Sequence, residues 1–444
     1  MNNSATLSAD VFPLRMKREV EGTKAIRQLK HCIWLYFLLL IFEGALRKWI
    51  LPGLATPLLI VRDPLALMIL LLAVKNRLFP LNIYSFTVPL IAFTGIYTAF
   101  FLGHGNLFVA IYGARIFLFH FPMIFVMGRV FDRKDVAKMG KVILWMSLPM
   151  VVLIALQFYS PQSAFVNRGV GGVEDGFTGA MGYFRPPATF SFTNGTSLFF
   201  SLVGCYVVYF WLNPKEVNKV LLLASTAALF ASIPLSISRA LFFQICVTIV
   251  FAVLAVMGKR KYAVKMILAV IGGFLALAVL SKSSFFQTAT LVFNNRFETA
   301  NKVEGGVQEV LLERYLGRML WAFRGEGSAP FFGYGLGLGT NVGSMLLSGT
   351  KASLRFEREW DRVIGELGLL LGLFIILLRL GFSLDISIKC LKKIRSGDLL
   401  PWMLLSFTLL LVPQGQWAQP TSLGFTTVLA GLTLASLRAS HNAY

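Results

Sequence analysis

The stretch RKDVAKMGKVILWMSLPMVVLIALQFYS, residues 133–160, decides the fold class of this chain. It opens with Lys and Arg residues and continues as an apolar run, near 142–160, that contains no charged side chain. A helix needs about 20 mostly apolar residues to cross a bilayer, because irregular backbone in the hydrocarbon would leave polar groups unsatisfied. The stretch therefore predicts a membrane-spanning helix with a basic flank.

The whole 444-residue chain has the same character, with 56% hydrophobic and 14% charged residues and a mean hydropathy of +0.70. A water-soluble chain carries roughly a quarter charged residues, so the composition indicates an integral membrane protein. The four Cys and four His residues are scattered, without the spacing of a disulfide framework or a metal site. We therefore predict no bound metal and no cofactor.

Apolar runs of suitable length predict an all-α fold, a polytopic transmembrane helix bundle of about twelve spans. The runs lie near 33–46, 57–74, 81–102, 107–128, 142–160, 188–212, 220–235, 239–257, 265–281, 362–380, 399–413 and 420–437.

The positions of the Lys and Arg residues predict the orientation of the bundle. With the N-terminus inside, more than half of the 42 Lys and Arg residues lie in cytoplasmic segments. The short opposite loops, 103–106 and 413–420, carry none. The positive-inside rule then places both termini in the cytoplasm. Most of the net charge of +21 is thus an orientation signal and does not indicate binding to nucleic acid.

The predicted organisation has five parts. They are a cytoplasmic segment at 1–32, spans 1–9 at 33–281, a large extracytoplasmic helical loop at 282–361, spans 10–12 at 362–437, and a cytoplasmic tail at 438–444. Loops longer than about 12–15 residues are usually functional, and a second long outer loop lies at 161–187. The pattern from Val303 to Phe323 predicts an amphipathic helix within the large loop.

Polar and ionisable residues gather near these outer loops. Arg185 begins the sixth span in GYFRPPATFSFTNGT, with Asn194 deeper in the same span. Arg239 lies at the tight turn between spans 7 and 8, where a side chain that snorkels to the lipid headgroups is the alternative to a functional one.

The entry of span 10 combines glycines and ionisable residues. Alternating glycines at 333–339 predict a sharp turn that brings the backbone close to another group. Glu359, Arg362 and Glu366 then recur at i, i+3 and i+7, so they share one helix face. Ionisable residues on such a face indicate a functional site, and a structural ion pair is the alternative.

These motifs resemble the O-antigen ligase/polymerase superfamily of bacterial polysaccharide assembly. The resemblance rests on RPPATFSFTN around Arg185, SISRA at Arg239, RMLW and PFFGYGLGLGTN between Arg318 and Asn341, and EWDRVIGELGLLLG from Glu359. It implies a membrane glycosyltransferase of the lipid-phosphosugar-dependent type, in the bacterial inner membrane, with a large periplasmic loop between spans 9 and 10. Its implied partners are an undecaprenyl pyrophosphate-linked glycan donor, a glycan acceptor and other polysaccharide-assembly proteins.

The resemblance implies a pyrophosphate leaving group, which planar guanidinium groups suit because they bind phosphate bidentately and keep their charge. We expect Arg185, Arg239 and Arg318 to bind it, with Arg314, Arg324 and Arg296 in reserve. Stabilisation of the leaving group by arginine would require no metal, and the outer loops contain no DxD pair.

Ligases of the superfamily place a histidine near the start of span 10, where this chain has Glu359. We therefore predict Glu359 as the general base beside the catalytic Arg318 and Arg185, supported by Glu366, Arg362 and Asn194. The absent histidine favours a polymerase of exopolysaccharide, capsule or O-antigen repeat units. A ligase that transfers glycan to lipid or protein is the alternative.

Two further classes compete with the enzyme. The common twelve-span transporter has two similar halves joined by a long cytoplasmic link, whereas spans 6 and 7 are joined here by NPKEVNK and no internal repeat is visible. A non-catalytic membrane scaffold would leave the outer arginines unexplained.

Overall fold

A computed structural model describes residues 11–173, 176–257, 282–304, 330–348, 356 and 358–438. Over these residues the fold is helical apart from turns, loops and one small hairpin. This architecture agrees with the predicted all-α class.

The helices of the described residues are Val11–Ala45 (α1), Arg62–Lys75 (α2), Ile83–Phe101 (α3), Leu107–Arg115 (α4), Phe121–Val130 (α5), Arg133–Tyr159 (α6), Thr193–Leu212 (α7), Lys219–Leu235 (α8), Arg239–Val256 (α9), Ser284–Glu304 (α10), Asn341–Ser348 (α11), Glu359–Arg395 (α12), Leu400–Gln414 (α13) and Pro420–Ser436 (α14). Wider π-helical turns at Leu46–Ile50 and Ile116–His120 extend α1 and join α4 to α5. Shorter helical turns lie at Pro52–Leu54, Ala55–Leu58, Phe165–Asn167, Val170–Gly172 and Pro214–Glu216. The antiparallel hairpin pairs Thr178–Ala180 (β1) with Tyr183–Phe184 (β2).

Eight helical stretches among the described residues are long and apolar enough to cross a membrane. They are Thr23–Ile50, Pro52–Lys75, Ile83–Phe101, Leu107–Val130, Arg133–Tyr159, Thr193–Leu212, Arg239–Val256 and Glu359–Arg395. Helices α8 and α13 are apolar but shorter, and α14 occupies the position of the twelfth predicted span. The ninth predicted span, 265–281, lies outside the described residues, and the total of twelve stays a prediction.

Polar residues at the ends of apolar runs determine where several helices begin. The Asn82 side chain accepts hydrogen bonds from the backbone N–H groups of Tyr84 and Ser85 at the start of α3. Asp132 and Asp135 form a reciprocal capping pair at the start of α6, each accepting from the other's backbone N–H at 3.0 Å. Such caps satisfy the backbone donors that the first turn of a helix leaves unpaired.

Helix α14 lies at the centre of the bundle, where it packs against α1, α5, α6, α7 and α13. Nearly all of it is buried, and its small residues Gly424 and Gly431 lie directly against neighbouring side chains. The hydroxyls of its buried threonines donate to carbonyls one turn earlier: Thr426, Thr427 and Thr433. Small residues and internally satisfied polar groups allow close helix packing in a membrane.

The described parts of the two segments that were predicted as long outer loops contain regular structure, and sequence analysis predicted helix in 282–361 but did not predict the hairpin. The β1–β2 hairpin lies in the loop at 161–187, and α10 and α11 lie in the loop at 282–361. The predicted amphipathic helix from Val303 to Phe323 falls mainly on 305–329, outside the described residues. Helix α12 begins at Glu359, before the predicted end of the loop.

Helix α12 is folded back on itself at Gly368. This glycine has φ +80° and ψ 171°, which is not a helical conformation. Glu359 and Arg379 are 20 residues apart and would be about 30 Å apart in a straight helix, yet Glu359 Oε1 accepts from Arg379 Nη1 at 2.8 Å. The predicted tenth span therefore consists of a short helix before Gly368 and a long helix after it.

The alternating glycines of 333–339 pack on this reversal. Gly333, Gly335 and Gly337 have positive φ, which glycine tolerates because it lacks a Cβ. The backbone N–H of Tyr334 donates to the Gly365 carbonyl at 2.7 Å, and that of Gly335 to the Glu366 carbonyl at 3.1 Å. The glycine segment thus satisfies carbonyls that the end of the short helix would otherwise leave unpaired.

We expect Gly368→Ala to destabilise the fold by about 2 kcal/mol or more. A Cβ at this position would lie 2.0 Å from the Phe331 carbonyl oxygen, and the positive φ is unfavourable for alanine. The control is Gly381→Ala in the long part of α12, where the nearest atom to an added Cβ is Tyr84 Oη at 3.6 Å. That change should leave stability equal or raise it by up to about 1 kcal/mol. Thermal unfolding in detergent measures both, and equal effects would contradict the reversal at Gly368.

Candidate functional site

Arg185, Arg239 and Arg296, which we call the outer arginine group, come from three separate elements that pack together. Hairpin β1 packs on α10, and Gly179 of β1 lies against Ile237 and the Arg185 side chain. The ring centroid of Phe297 in α10 lies 6.2 Å from that of Phe242 in α9. Arg296 precedes Phe297 in α10, and Arg239 lies one turn before Phe242 in α9. The structure therefore brings the two described members of the predicted pyrophosphate set, Arg185 and Arg239, to one region with the reserve residue Arg296.

Within the described part of the chain, the guanidinium group of Arg185 has an unpaired hydrogen-bond donor at Nε. This atom is buried and has no hydrogen-bond partner among the described residues. Burial first, and then the like charge of Arg296, lowers the pKa of the Arg185 guanidinium. Two like charges held close together favour an anion between or beside them.

The turn before Arg239 is tied to the start of α7. Ser238 Oγ accepts from the backbone N–H of Leu241 at 3.3 Å and lies 2.7 Å from Ser197 Oγ of α7. Ile237 has φ +50°, a conformation that costs a β-branched residue of order 1–3 kcal/mol. Strain of this kind is maintained only where the surrounding contacts require it, so the position of Arg239 is closely determined.

Glu359, Arg362, Glu366 and Arg379 form a second group, the α12 cluster. Arg362 donates from Nη2 to Glu359 Oε1 at 2.8 Å and from Nη1 to Glu366 Oε2 at 2.7 Å. Arg379 donates to Glu359 and to the carbonyls of Val412 and Gly415. The predicted shared face of Glu359, Arg362 and Glu366 is present. Sequence reasoning missed Arg379, because the reversal at Gly368 brings it there.

Glu359 has both carboxylate oxygens occupied. Oε1 accepts from Arg362 and Arg379, and Oε2 accepts from Arg362 Nε and from the backbone N–H of Trp417 at 3.1 Å. The side chain is also buried, so the approach of an acceptor hydroxyl is blocked. These contacts favour a structural role for Glu359 over the predicted role as general base.

The glycine segment contacts a carboxylate of its own chain. The backbone N–H of Gly339 donates to Glu366 Oε1 at 2.7 Å, and a Cβ on Gly339 would lie 2.6 Å from Arg362 Cγ. Glu366 is completely buried. The anion that the glycine segment binds is therefore the Glu366 carboxylate, and the absence of a side chain on Gly339 lets the backbone approach it closely.

Trp417, in the linker between α13 and α14, joins the α12 cluster to the helices around α5. Its ring centroid lies 3.8 Å from Arg379 Cζ and 5.7 Å from the ring centroid of Phe121. Its indole N–H donates to the Leu411 carbonyl at 3.2 Å. The linker is thus fixed by a buried aromatic anchor.

A third group, the first-helix cluster, was missed by sequence reasoning. It consists of ionisable side chains from the region of α1, α2 and α4, all buried except the half-buried Asp63: Glu43, Arg47, Lys48, Arg62, Asp63, Arg115 and His120. Arg62 Nε donates to Glu43 Oε2 at 2.9 Å, and Arg115 Nη1 donates to Asp63 Oδ1 at 2.9 Å. Sequence reasoning could have found this cluster from its ionisable residues, which lie at or near the ends of apolar runs. Ionisable residues in a membrane indicate a function by default.

His120 and Tyr36 extend this cluster towards the bundle centre. His120 Nε2 lies 2.8 Å from Asp63 Oδ1, and Nδ1 lies 2.8 Å from the Tyr36 hydroxyl. If the hydroxyl donates to Nδ1 and Nε2 carries the proton, His120 is a neutral bridge between the two.

The first-helix cluster also contacts the loop that follows Arg185. Arg47 Nη1 donates to Ser191 Oγ at 2.9 Å, and Lys48 Nζ donates to the Ala188 carbonyl. The predicted supporting residue Asn194 lies further along, where its Nδ2 donates to Gln419 Oε1 at 2.6 Å. Asn194 therefore links the starts of α7 and α14.

The remaining predicted site residues lie outside the described part of the chain: Arg314, Arg318 and Arg324. Among the described residues, no three His, Cys, Asp or Glu side chains come together in a group that could hold a metal ion. Metal independence of the reaction stays a prediction.

The fold and its apolar helices define the class of this chain as an α-helical membrane protein. No protein family model, curated protein or solved structure matches it. The family that its motifs resemble therefore stays a prediction.

We expect Glu359→Gln to lower stability by about 3–5 kcal/mol, because it leaves two buried guanidinium groups without their shared carboxylate. The matched control is Lys389→Ala, which breaks the solvent-exposed pair with Asp385 and should cost at most about 1 kcal/mol. Thermal unfolding in detergent compares them. A Glu359→Gln protein with unchanged stability and no enzymatic turnover would instead support the role of general base.

Proposed function

We propose that this chain is a bacterial inner-membrane polymerase of exopolysaccharide, capsule or O-antigen repeat units. It would transfer glycan from an undecaprenyl pyrophosphate donor to a sugar hydroxyl of the acceptor. The observation that carries the proposal is the outer arginine group, in which the half-buried Arg185 lies beside the like charge of Arg296 and has a buried donor without an acceptor in the described chain. The motif resemblance supplies the class of substrate.

In this reaction the acceptor oxygen attacks the anomeric carbon as the bond from that carbon to the pyrophosphate oxygen breaks. The hydroxyl proton passes to a base, and the negative charge collects on the departing pyrophosphate. Guanidinium groups held in place beforehand stabilise that charge as it develops, and do so more strongly in a site with little water. Arg185, Arg239 and Arg296 would supply the charge and the donors for this role, and Arg318 remains part of the proposed set.

The α12 cluster has a different part in the proposal. Glu359, Arg362 and Glu366 satisfy one another and hold the short helix of α12 beside the glycine segment. We therefore assign them to positioning, and we leave the base that accepts the hydroxyl proton unassigned.

The proposed orientation has both termini in the cytoplasm and the outer arginine group on the periplasmic side. A lipid-linked glycan would then meet the arginines at the membrane surface, where its pyrophosphate lies. The basic flanks of the predicted spans support this orientation.

We expect Arg185→Ala to lower the rate of polymer formation by about 100-fold or more, because it removes a donor to the leaving pyrophosphate. Arg185→Lys should recover only part of the rate, since ammonium keeps the charge but lacks the planar fork. The assay uses the purified protein with a lipid-linked repeat unit and follows glycan length.

Arg168→Ala is the control for this series, because Arg168 lies in the same outer loop but is exposed and packs on Phe165. It should leave the rate unchanged. Normal polymer from Arg185→Ala would contradict the proposed role of the outer arginine group. In cells that lack the gene, accumulation of single repeats indicates a polymerase, whereas accumulation of lipid-linked polymer indicates a ligase.

Single cysteines test the orientation, introduced after the native cysteines are replaced. Ser163→Cys, in an exposed outer turn, should react with a membrane-impermeant maleimide in cells with a permeabilised outer membrane. Ser396→Cys, in the exposed turn after α12, should react only after the inner membrane is opened. The reverse pattern would overturn the proposed orientation.

A further inference from the structure

The first-helix cluster contains more positive than negative charge. Its cations are nearly inaccessible, between 1% and 8% exposed, and they are Arg47, Lys48, Arg62 and Arg115. In the described part of the chain, the carboxylates that contact them are Glu43 and Asp63. With His120 neutral, the cluster has an excess of two positive charges if Lys48 is charged and of one if Lys48 is neutral.

Three donors of this cluster are buried without a hydrogen-bond partner among the described residues: Arg62 Nη1, Arg115 Nε and Arg115 Nη2. The Tyr112 ring covers one face of the Arg115 guanidinium, with its centroid 4.0 Å from Cζ. More than nine in ten buried polar groups in proteins have a partner, so three unpaired donors in one cluster require an explanation.

Uncompensated charge is costly to bury, and a guanidinium that lacks an acceptor favours an anion that supplies one. The charge excess also indicates what kind of anion fits. A phosphate monoester carries about −1.5 to −2 charges near neutral pH and three strong acceptor oxygens. It therefore suits both the excess positive charge and the three unpaired donors.

We propose that the first-helix cluster is a binding site for a dianionic phosphate or pyrophosphate group, held by Arg62 and Arg115. Arg62 is 3% exposed and donates from Nη2 to the Pro420 carbonyl at 2.7 Å, which holds its guanidinium at the first turn of α14. The residues of this region that reach the surface are Asp63, whose side chain is 13% exposed, and the half-buried Tyr112. This site is separate from the outer arginine group and does not depend on glycan transfer.

Occupancy of this site would affect the loop that follows Arg185. Arg47 and Lys48 hold that loop through Ser191 Oγ and the Ala188 carbonyl. Arg47 also shares the Glu43 carboxylate with Arg62. Glu43 therefore connects Arg62, which would hold the anion, to Arg47, which holds the loop.

The test measures thermal unfolding of the purified full-length protein in detergent over a range of inorganic pyrophosphate concentrations. A ligand that binds only the folded state raises the unfolding temperature in a saturable way, and this rise is the expected result. Sodium chloride at matched ionic strength is the control. An equal rise with chloride would mean charge screening alone and would overturn the site.

Two substitutions should change the pyrophosphate affinity in opposite directions. Arg115→Gln removes a donor and should weaken binding at least about tenfold. Asp63→Asn removes a competing carboxylate and should strengthen binding, even though it lowers stability without ligand. A purely structural ion-pair cluster would lower stability in both variants and leave the affinity unchanged, which would overturn the proposal. If Arg115→Gln does not fold, Arg62→Lys keeps the charge and should still weaken binding.

Two controls assign the response to this cluster. Arg133 is paired with Glu216 and Asp398, away from the first-helix cluster. The Arg133→Gln substitution should therefore leave the pyrophosphate affinity unchanged. Arg185→Ala tests the outer arginine group. A response that disappears with Arg185→Ala and persists with Arg115→Gln would overturn the inference and support the proposed function, and the reverse pattern would support the inference alone.

Geranyl pyrophosphate distinguishes the source of the phosphate group. Tighter binding than that of inorganic pyrophosphate would assign the site to a lipid-linked phosphate. Equal affinity would assign it to the phosphate group alone. Both results support the site, whereas binding of neither compound would overturn it.

Discussion

The paired carboxylate of Glu359 is the contact on which the arrangement of α12 depends. A charge in the interior of a membrane protein is tolerated only when it is matched, and Glu359 is matched by Arg362 and by Arg379 across the reversal at Gly368. It also accepts from the backbone of Trp417. One side chain therefore fixes the short helix, the long helix and the α13–α14 linker relative to one another, and the glycine segment packs on the result.

Local patterns in the sequence predicted the helical class and the positions of most apolar helices, because hydropathy is a property of consecutive residues. They also placed Glu359, Arg362 and Glu366 on one face, since helical spacing is local. They did not predict Arg379 as a partner, because that contact depends on the left-handed conformation of Gly368, and ELGLLLG reads as uninterrupted helix. The first-helix cluster was missed because its pairs join residues on separate helices.

The two cationic regions are joined by one segment, the loop at 185–194. Arg185 begins it beside Arg296, whereas Arg47 and Lys48 hold its middle through Ser191 and Ala188. The segment ends where α7 meets the start of α14. The loop has little freedom to move independently, so a change at either cationic region would be transmitted to the other by the backbone between them.

The central position of α14 has a consequence for how the protein is made. Helices are synthesised in chain order, and α14 follows every helix against which it packs. Until it leaves the ribosome, the surrounding helices have no centre to close around. Arg62, which donates to the Pro420 carbonyl in the finished fold, has no such acceptor before then. The bundle can therefore close around its centre only after α14 has been made.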